Sequence, residues 1–291
     1  MSAVSRSKAF SKDKALSGRT PKPAPARPEA PTADGAAARA SRKAPAAKGP
    51  MRAWGNSLES YHEHQMSEFP LGARAFRWFA IALVAAYSKL MWRWQVDGRE
   101  RLERATREHG VVLVMNHVSM LDPIVAYLTM VAMGRRIRPV YKAEFNSAGP
   151  LGRLISWVGG IPVRRGTADL KALRNAQRTL EAGDSIMIFP EGTRIKSDDE
   201  PVELHGGFAL MARMGGADVV PMAIVGARDI TPRGHRLPRP VKVWCRVGEP
   251  ISFSELGVRG RKQQAEEMER VAMERVYALR DELRREHPGK M

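Results

Sequence analysis

The chain has 291 residues and carries 48 Lys or Arg against 31 Asp or Glu, a formal net charge of +17. Hydrophobic residues make up 43% and charged residues 27%, an ordinary globular balance that excludes a wholly disordered or collagen-like chain. The mean hydropathy of -0.36 excludes a polytopic membrane protein. The single cysteine, Cys245, excludes an internal disulfide framework, and we expect it in the core.

Residues 1–53 are predicted to form a disordered basic tail. Its first fifty positions hold eleven Lys or Arg, three acidic residues, seven prolines and one aromatic residue, Phe10. Such a composition buries too little apolar surface to offset the entropy lost on ordering. No apolar stretch follows the basic start, so this is not a secretory signal. Two interpretations stay open: a solvated tail, or electrostatic adhesion to an anionic membrane surface, where each Lys or Arg adds up to about 1 kcal/mol.

Residues 54–97 are predicted to form an aromatic-rich helical segment that docks on a membrane. They contain nine of the nineteen aromatic residues, and their longest central uncharged run, residues 78–88, is far shorter than the roughly 20 residues needed to cross a bilayer. Helical spacing of three or four connects Phe76, Phe79, Leu83, Tyr87, Leu90 and Trp94. The other side of this helix is also apolar, so one apolar face would stay unburied. A helix lying in one leaflet is the favoured interpretation, and a helix buried against a partner is the alternative.

From residue 98 to 291, predicted strands alternate with predicted helices, which favours a layered α/β fold. The strands are expected at 111–115, 136–142, 161–165, 185–189, 219–226 and 241–248. The helices are expected at 123–133, 149–160, 168–183, 206–216 and 261–286, the last of them amphipathic and packed on the sheet.

Two groups of polar residues follow predicted buried strands. His117 and Asp122 come after the first strand, and a carboxylate bonded to one ring nitrogen would orient the imidazole as a general base. Five residues separate the two side chains on one helix, so the pair requires His117 in the turn and Asp122 at the start of the helix, which Pro123 favours. From spacing alone, a helix cap and an ordinary turn histidine remain the simpler interpretations.

The second group, residues 190–194, follows the strand at 185–189, and Arg164 and Arg165 follow another strand. The carboxyl ends of such strands are where α/β sheets bind ligands. Arg194 has the donors to bind a phosphate, while Gly192 permits a close backbone approach. A turn with a local ion pair is the alternative.

Four blocks taken together resemble the glycerolipid acyltransferases, above all the 1-acylglycerol-3-phosphate (lysophosphatidate) acyltransferases. The resemblance covers about residues 98–250 and depends on the order and spacing of the blocks. These blocks are NHVSMLD at 116–122, GGIPVRR at 159–165, FPEGTR at 189–194 and VPMAI at 220–224. The resemblance implies a mixed sheet flanked by helices and preceded by the apolar membrane-docking segment.

By this resemblance, His117 would remove the proton from the acceptor hydroxyl and Asp122 would orient and charge-stabilise the ring. The hydroxyl oxygen would attack the thioester of acyl-CoA or an acyl-carrier protein, with no acyl-enzyme, no cofactor and no metal. Pro221 would shape the acyl or acceptor pocket. The expected substrate-binding residues are Asn116, Lys142, Arg165, Glu191, Gly192, Thr193 and Arg194.

The resemblance implies phosphatidic acid as the product and places the enzyme on the cytoplasmic face of a membrane, as a peripheral or monotopic protein. One departure leaves the acceptor open: residues 204–207 read LHGG where family members often carry Phe-Lys-Lys-Gly. Glycerol-3-phosphate, or a glycosylated inositol or other lysolipid, is therefore the alternative acceptor. A nucleic-acid-binding protein is the remote alternative, since the basic excess lies in the tail and no nucleic-acid motif is present. An inactive membrane-surface scaffold is disfavoured because the His117, Asp122, Glu191 and Arg194 set is intact.

Overall fold

The structure is a computed structural model, which describes residues 49–52, 55–164, 169–195, 202–232, 235 and 237–288. Most of the predicted basic tail lies outside the described residues, as do Trp54 and Arg165.

Within the described residues, a seven-stranded sheet forms the centre of the fold. Its strands have the order β1-β7-β6-β2-β5-β3-β4, and every neighbouring pair is parallel except β6 with β7. The predicted mixed α/β sheet is therefore confirmed. In chain order the strands are β1 (Gln95–Asp97), β2 (Val112–Met115), β3 (Ile137–Lys142), β4 (Ile161–Val163), β5 (Ser185–Ile188), β6 (Val219–Val225) and β7 (Trp244–Val247).

Helices cover both faces of this sheet, because the buried central strand β2 has apolar side chains on both sides. Val112 and Val114 belong to one buried cluster, and Leu113 and Met115 belong to the other. The helices are α1 (Leu58–Glu63), α2 (Leu71–Trp92), α3 (Arg99–Ala105), α4 (Asp122–Ala132), α5 (Pro150–Trp157), α6 (Leu170–Glu181), α7 (Gly207–Gly215) and α8 (Arg261–Glu286), with short 3-10 helices at Met66–Glu68, Ala143–Ser147 and Ala227–Ile230. Helices α2, α3 and α4 pack on the face of Leu113 and Met115, and α6, α7 and α8 pack on the face of Val112 and Val114.

The sequence pattern misses the short elements α1, α3 and β1. Each has too few residues to show a clear period. The predicted strand at 161–165 also ends earlier, at Val163, and the helix predicted at 149–160 ends at Trp157. Cys245 is fully buried in β7, as expected for a core residue.

Helix α2 has two unlike sides. One side packs on the core through Ile81, Met91 and Trp92. The other side leaves a stripe of large apolar residues in solvent: Phe76, Phe79, Leu83, Tyr87 and Leu90. Five apolar residues at this spacing present the kind of face that lies in a membrane interface.

Among the described helices, none combines the length and the hydropathy that are needed to span a bilayer.

Arg138 connects the first helical segment to the sheet. Its guanidinium is 3% exposed, and burial lowers its pKa to about 10. All of its N–H groups face oxygen acceptors, which offsets the cost of burying the charge. The acceptors are the carbonyls of Tyr61, His62, His64 and Gly159 and the hydroxyl of Thr179.

We predict that Arg138→Met lowers the free energy of unfolding by about 2–4 kcal/mol, because it leaves several buried carbonyls without a donor. Urea denaturation measures this change. The exposed Arg275→Met is the matched control, for which we expect a change within about 0.5 kcal/mol. A loss below about 1 kcal/mol for Arg138→Met would contradict the role given to this arginine.

Candidate active site

Four parallel strands bring the predicted site residues to one edge of the sheet. The strands β2, β5, β3 and β4 are consecutive neighbours, so their carboxyl ends lie side by side at spacings of about 4.8 Å. Residues 116–117 follow β2, residues 189–194 follow β5, Lys142 ends β3 and Arg164 follows β4. The three sequence blocks that end these strands therefore meet at one edge, although up to 74 residues separate neighbours in the chain.

The predicted pair is formed: His117 Nδ1 lies 2.9 Å from Asp122 Oδ2. Asp122 is the first residue of α4, followed by Pro123, and His117 lies in the preceding turn. The same Oδ2 accepts hydrogen bonds from the backbone N–H groups of Val118 and Ser119, each at 2.7 Å. One carboxylate oxygen therefore organises the whole turn between β2 and α4.

The hydrogen bonds of Asp122 determine which nitrogen of the His117 imidazole carries the proton. Asp122 is fully buried, and burial raises the pKa of its carboxyl while the hydrogen bonds from His117, Ser119 and Val118 oppose that rise. Because two backbone N–H groups already donate to Oδ2, this oxygen acts as an acceptor toward the ring as well. Nδ1 is then the protonated nitrogen and Nε2 holds the lone pair. No described residue makes a hydrogen bond to Nε2, and the His117 side chain is 15% exposed.

The FPEGTR block holds the same histidine from the other side. The Phe189 ring lies against the His117 ring, with centroids 4.4 Å apart. Glu191 Oε2 accepts the His117 N–H at 2.6 Å, and the Ile195 N–H donates to the His117 carbonyl at 2.8 Å. Both backbone groups of His117 are therefore bound by the turn that follows β5.

The contacts of Glu191 differ from those expected from the sequence. From the sequence we expect its carboxylate to bind the acceptor or Arg194, but it is 2% exposed and its second oxygen accepts the Tyr277 hydroxyl at 3.2 Å. Both oxygens are thus used within the protein, and the contacts make Glu191 a positioning residue for His117. Burial raises the Glu191 pKa to about 7.

Tyr277 was missed by the sequence patterns. It lies on α8, about 160 residues after His117, in a helix whose pattern predicts only packing on the sheet. Its hydroxyl bonds to Glu191, which raises the pKa of Tyr277 further above the value that burial gives it. No local signal identifies it, because the contact depends on how α8 packs on the sheet.

The rest of the turn after β5 is open to solvent. Gly192 has φ 59°, a left-handed conformation that favours glycine, and its N–H closes the turn onto the Phe189 carbonyl at 2.9 Å. Thr193 and Arg194 are exposed beside it. Their predicted role in substrate binding stays a prediction that this exposure permits.

Asn116 is not placed where it could bind substrate, contrary to the prediction from the sequence. It is fully buried, its Nδ2 donates to the Ile224 carbonyl at 3.0 Å and its Oδ1 accepts the Ile224 N–H at 2.8 Å. The amide therefore joins the end of β2 to β6 and has no exposed atom to offer a ligand. Pro221, expected to shape a pocket, is buried within β6 opposite Val114.

Lys142 and Arg164 lie at the same edge of the sheet as His117, at the ends of two neighbouring strands. Lys142 is half-buried at the end of β3, opposite Val163 of β4, and Arg164 is exposed at the end of β4. Arg165, the predicted second phosphate contact, lies outside the described residues. In the described part of the chain, no three His, Cys, Asp or Glu side chains are grouped so as to hold a metal ion.

Comparison with known proteins shows which family and which proteins this chain is similar to. A family model described as "Acyltransferase" matches residues 93–225. A chloroplastic 1-acyl-sn-glycerol-3-phosphate acyltransferase of Arabidopsis thaliana is 29% identical over 164 residues, which are 55% of this chain and 44% of that protein. The Bacillus subtilis protein of the same name is 25% identical over 181 residues, 62% of this chain and 86% of that protein.

The chain spans less than half the length of the chloroplastic relatives from Arabidopsis thaliana and Brassica napus, at 44% and 46%. A crystal structure of the 1-acyl-sn-glycerophosphate acyltransferase from Thermotoga maritima has a TM-score of 0.50 and 22% identity, covering 70% of this chain and 81% of that one. This likeness shows that the two chains share a fold.

We predict that Glu191→Gln removes a pH dependence of stability. A carboxyl with pKa about 7 when folded and 4.5 when unfolded binds more protons in the folded state, so wild-type stability falls as the pH rises through this window. Relative to wild type, Glu191→Gln should therefore gain about 2–3 kcal/mol between pH 5 and pH 8.

Urea denaturation at both pH values measures this gain, with the exposed Glu144→Gln as the matched control. Equal pH dependence in wild type and Glu191→Gln would contradict the buried, partly neutral state of this carboxyl.

Proposed function

We propose that the chain is an O-acyltransferase, which the match of residues 93–225 to the acyltransferase family model supports. It moves a fatty acyl group from acyl-CoA or an acyl-carrier protein to the free hydroxyl of 1-acylglycerol-3-phosphate, giving phosphatidic acid. The names of the curated relatives support the acceptor. The observation that carries the proposal is His117, whose Nδ1 is bound by Asp122 while Nε2 stays available.

In this mechanism Nε2 takes the proton of the acceptor hydroxyl as its oxygen attacks the thioester carbonyl carbon. The imidazolium that forms is stabilised by Asp122, 2.9 Å from Nδ1. The tetrahedral intermediate then collapses, the carbon–sulfur bond breaks, and the thiolate takes the proton back from Nε2. The histidine returns to its starting form, and the products are an ester and a free thiol.

Direct transfer requires the base to be held still while two substrates meet. General base help contributes about 10²–10⁴ in rate, and holding the reactants in position contributes more. The contacts of Phe189, Glu191 and Ile195 with His117 supply the fixed base. An acyl-enzyme on Cys245 is disfavoured, since this thiol is fully buried in β7 and burial raises its pKa.

The phosphate of the acceptor would lie against the basic edge next to the base. Arg194 is exposed in the turn that holds His117, and Lys142 and Arg164 end the next two strands. A planar guanidinium gives two parallel donors to a phosphate, so Arg194 is the best-suited of the three. Thr193 and Gly192 shape the same turn.

Membrane docking accounts for how such an enzyme reaches its substrates. Both the lysolipid and the acyl chain partition into bilayers, and the exposed apolar stripe of α2 gives the domain a face that buries in one leaflet. We place this docking on the cytoplasmic face, where acyl thioesters are made and anionic lipid attracts the positive chain.

An acyltransferase with another lysolipid acceptor is the second candidate. The observation in its favour is the sequence LHGG at 204–207, which lacks the family's two lysines although it lies beside the site. The backbone N–H of His205 donates to the Pro190 carbonyl at 2.8 Å. Mass spectrometry of the lipids formed from a panel of lysolipids and acyl thioesters separates the two candidates, and no product from 1-acylglycerol-3-phosphate would overturn the first.

We predict that His117→Ala lowers kcat about 10²- to 10⁴-fold, because no base remains to take the proton of the acceptor hydroxyl. Turnover is measured with saturating acyl thioester, and circular dichroism checks that the fold is intact. The exposed His109→Ala is the matched control and should keep wild-type turnover. Near-normal turnover by His117→Ala would show that the base is another group.

We predict that Arg194→Ala raises the KM for the phosphorylated acceptor about tenfold or more and leaves the KM for the acyl thioester within about twofold. The reason is the loss of a charged donor pair to the phosphate. The exposed Arg275→Ala serves as control. Equal effects on both KM values, or none on the acceptor, would remove Arg194 from the acceptor site.

A further inference from the structure

A cavity lies at the opposite edge of the sheet from His117, where Arg135 and Arg136 precede the amino end of β3. It has a volume of about 260 Å³, slightly below the roughly 300–1,000 Å³ of pockets for drug-sized ligands. Its walls come from the Met66–Glu68 turn, the first half of α2, the second half of α4 and the turn before β3. The residues that line it include Arg74, Arg77, Trp78, Tyr127, Arg135 and Arg136.

Arg77 occupies a core-facing position of α2, where its guanidinium lies 5.8 Å from the centre of the Trp78 ring but two of its nitrogens make no hydrogen bond to a described residue. It lies on the same side of the helix as Ile81, Ser88 and Trp92, and it is 7% exposed. Its Nε and Nη1 are buried, and neither has a hydrogen-bond partner among the described residues. Arg138, another buried arginine, has an acceptor for each of its nitrogens. Unpaired donors of a buried charge are costly, so the site is incomplete without an acceptor.

The charge around the cavity is strongly positive. Four arginines line it, and the nearby acidic group Asp184 is already bound by Arg136 at 2.5 Å. Burial lowers the pKa of Arg77, and the neighbouring Arg74 and Arg136 lower it further, whereas Tyr127 and Asp184 oppose this fall. A ligand that relieves this repulsion must be an anion with several acceptor oxygens, and phosphate groups match arginine clusters in both respects.

The same helix connects the cavity to the apolar stripe. Arg74 and Arg77 lie on the side of α2 opposite Phe76, Phe79 and Leu83, across a helix about 10 Å wide. When an apolar helix face is immersed about 5–10 Å at an interface, the opposite side of the helix lies at the depth of the lipid headgroups. Trp78, half-exposed at 53%, lines the cavity and immediately precedes Phe79 of the stripe in the chain.

We propose that this cavity binds the phosphate group of an anionic membrane phospholipid when α2 docks on the bilayer. The site is distinct from the acyl-transfer site: Tyr127 and Val131 form its wall, whereas Asp122 begins the same helix, about 7.5 Å along the axis from Tyr127 and about 13.5 Å from Val131. It rests on the proposed membrane docking of α2 and is independent of acyl transfer. A lipid is favoured over soluble phosphate because the apolar stripe and the arginines belong to one helix.

The test is sedimentation of the full chain with vesicles of phosphatidylcholine, with and without phosphatidylglycerol, in 0.15 M salt. We expect Arg74→Gln with Arg77→Gln to weaken binding to the anionic vesicles at least tenfold and binding to the neutral vesicles less than twofold. The matched control, Arg261→Gln with Arg275→Gln, removes the same charge from exposed sites of α8 and should weaken anionic binding less than threefold.

Other outcomes overturn the proposal. Equal weakening by both double variants would mean that only net charge matters. Full competition by inorganic phosphate at millimolar concentration would assign the cavity to a soluble anion. The single variant Arg77→Met removes the unpaired charge without leaving a polar group, so it should fold at least as stably as wild type. If Arg77→Met folds and binds anionic vesicles like wild type, the cavity is not a lipid site.

Discussion

A buried carboxylate that collects three donors from successive residues is the constraint on which the candidate site depends. Asp122 Oδ2 accepts from His117 Nδ1 and from the N–H groups of Val118 and Ser119, all within 2.9 Å. An isolated carboxylate at zero exposure would be expensive, and these donors make the burial tolerable. These hydrogen bonds hold the turn in one conformation and the imidazole in one orientation. Changing the carboxylate therefore affects the turn and the base together.

The second constraint comes from the neighbouring strand. Since β5 runs parallel beside β2, the turn after β5 reaches the backbone of His117 and binds both its N–H and its carbonyl. Glu191 is bound in turn by Tyr277 of α8. The histidine is thus held by elements from three distant parts of the chain. This explains why motifs so far apart in sequence act as a unit, and why Glu191 is better described as a positioning residue than as a substrate ligand.

The sequence predicts what is local and misses what depends on strand order. The residue types and Pro123 at the start of α4 allow the His117–Asp122 contact, the resemblance of the four blocks predicts it, and the exposed stripe of α2 follows from helical spacing. The contact between Glu191 and the His117 N–H joins residues 74 positions apart, and the Asn116 amide meets Ile224 across 108 positions. Neither contact can be predicted from the sequence until the strand order β6-β2-β5 is known. For the same reason two expected substrate ligands, Asn116 and Glu191, have buried partners within the protein.

Acyl transfer by this route requires the neutral His117 ring to carry its proton on Nδ1 and to leave Nε2 free to accept a proton. Nitrogen NMR of the full chain labelled with ¹⁵N-histidine tests this claim directly, with the His117 signals assigned by their loss in His117→Gln. At a pH where the ring is neutral, the account predicts a protonated Nδ1 and an unprotonated Nε2. A protonated Nε2 with its lone pair on Nδ1 would contradict the account, because the ring could then neither donate to Asp122 nor accept the proton of an alcohol.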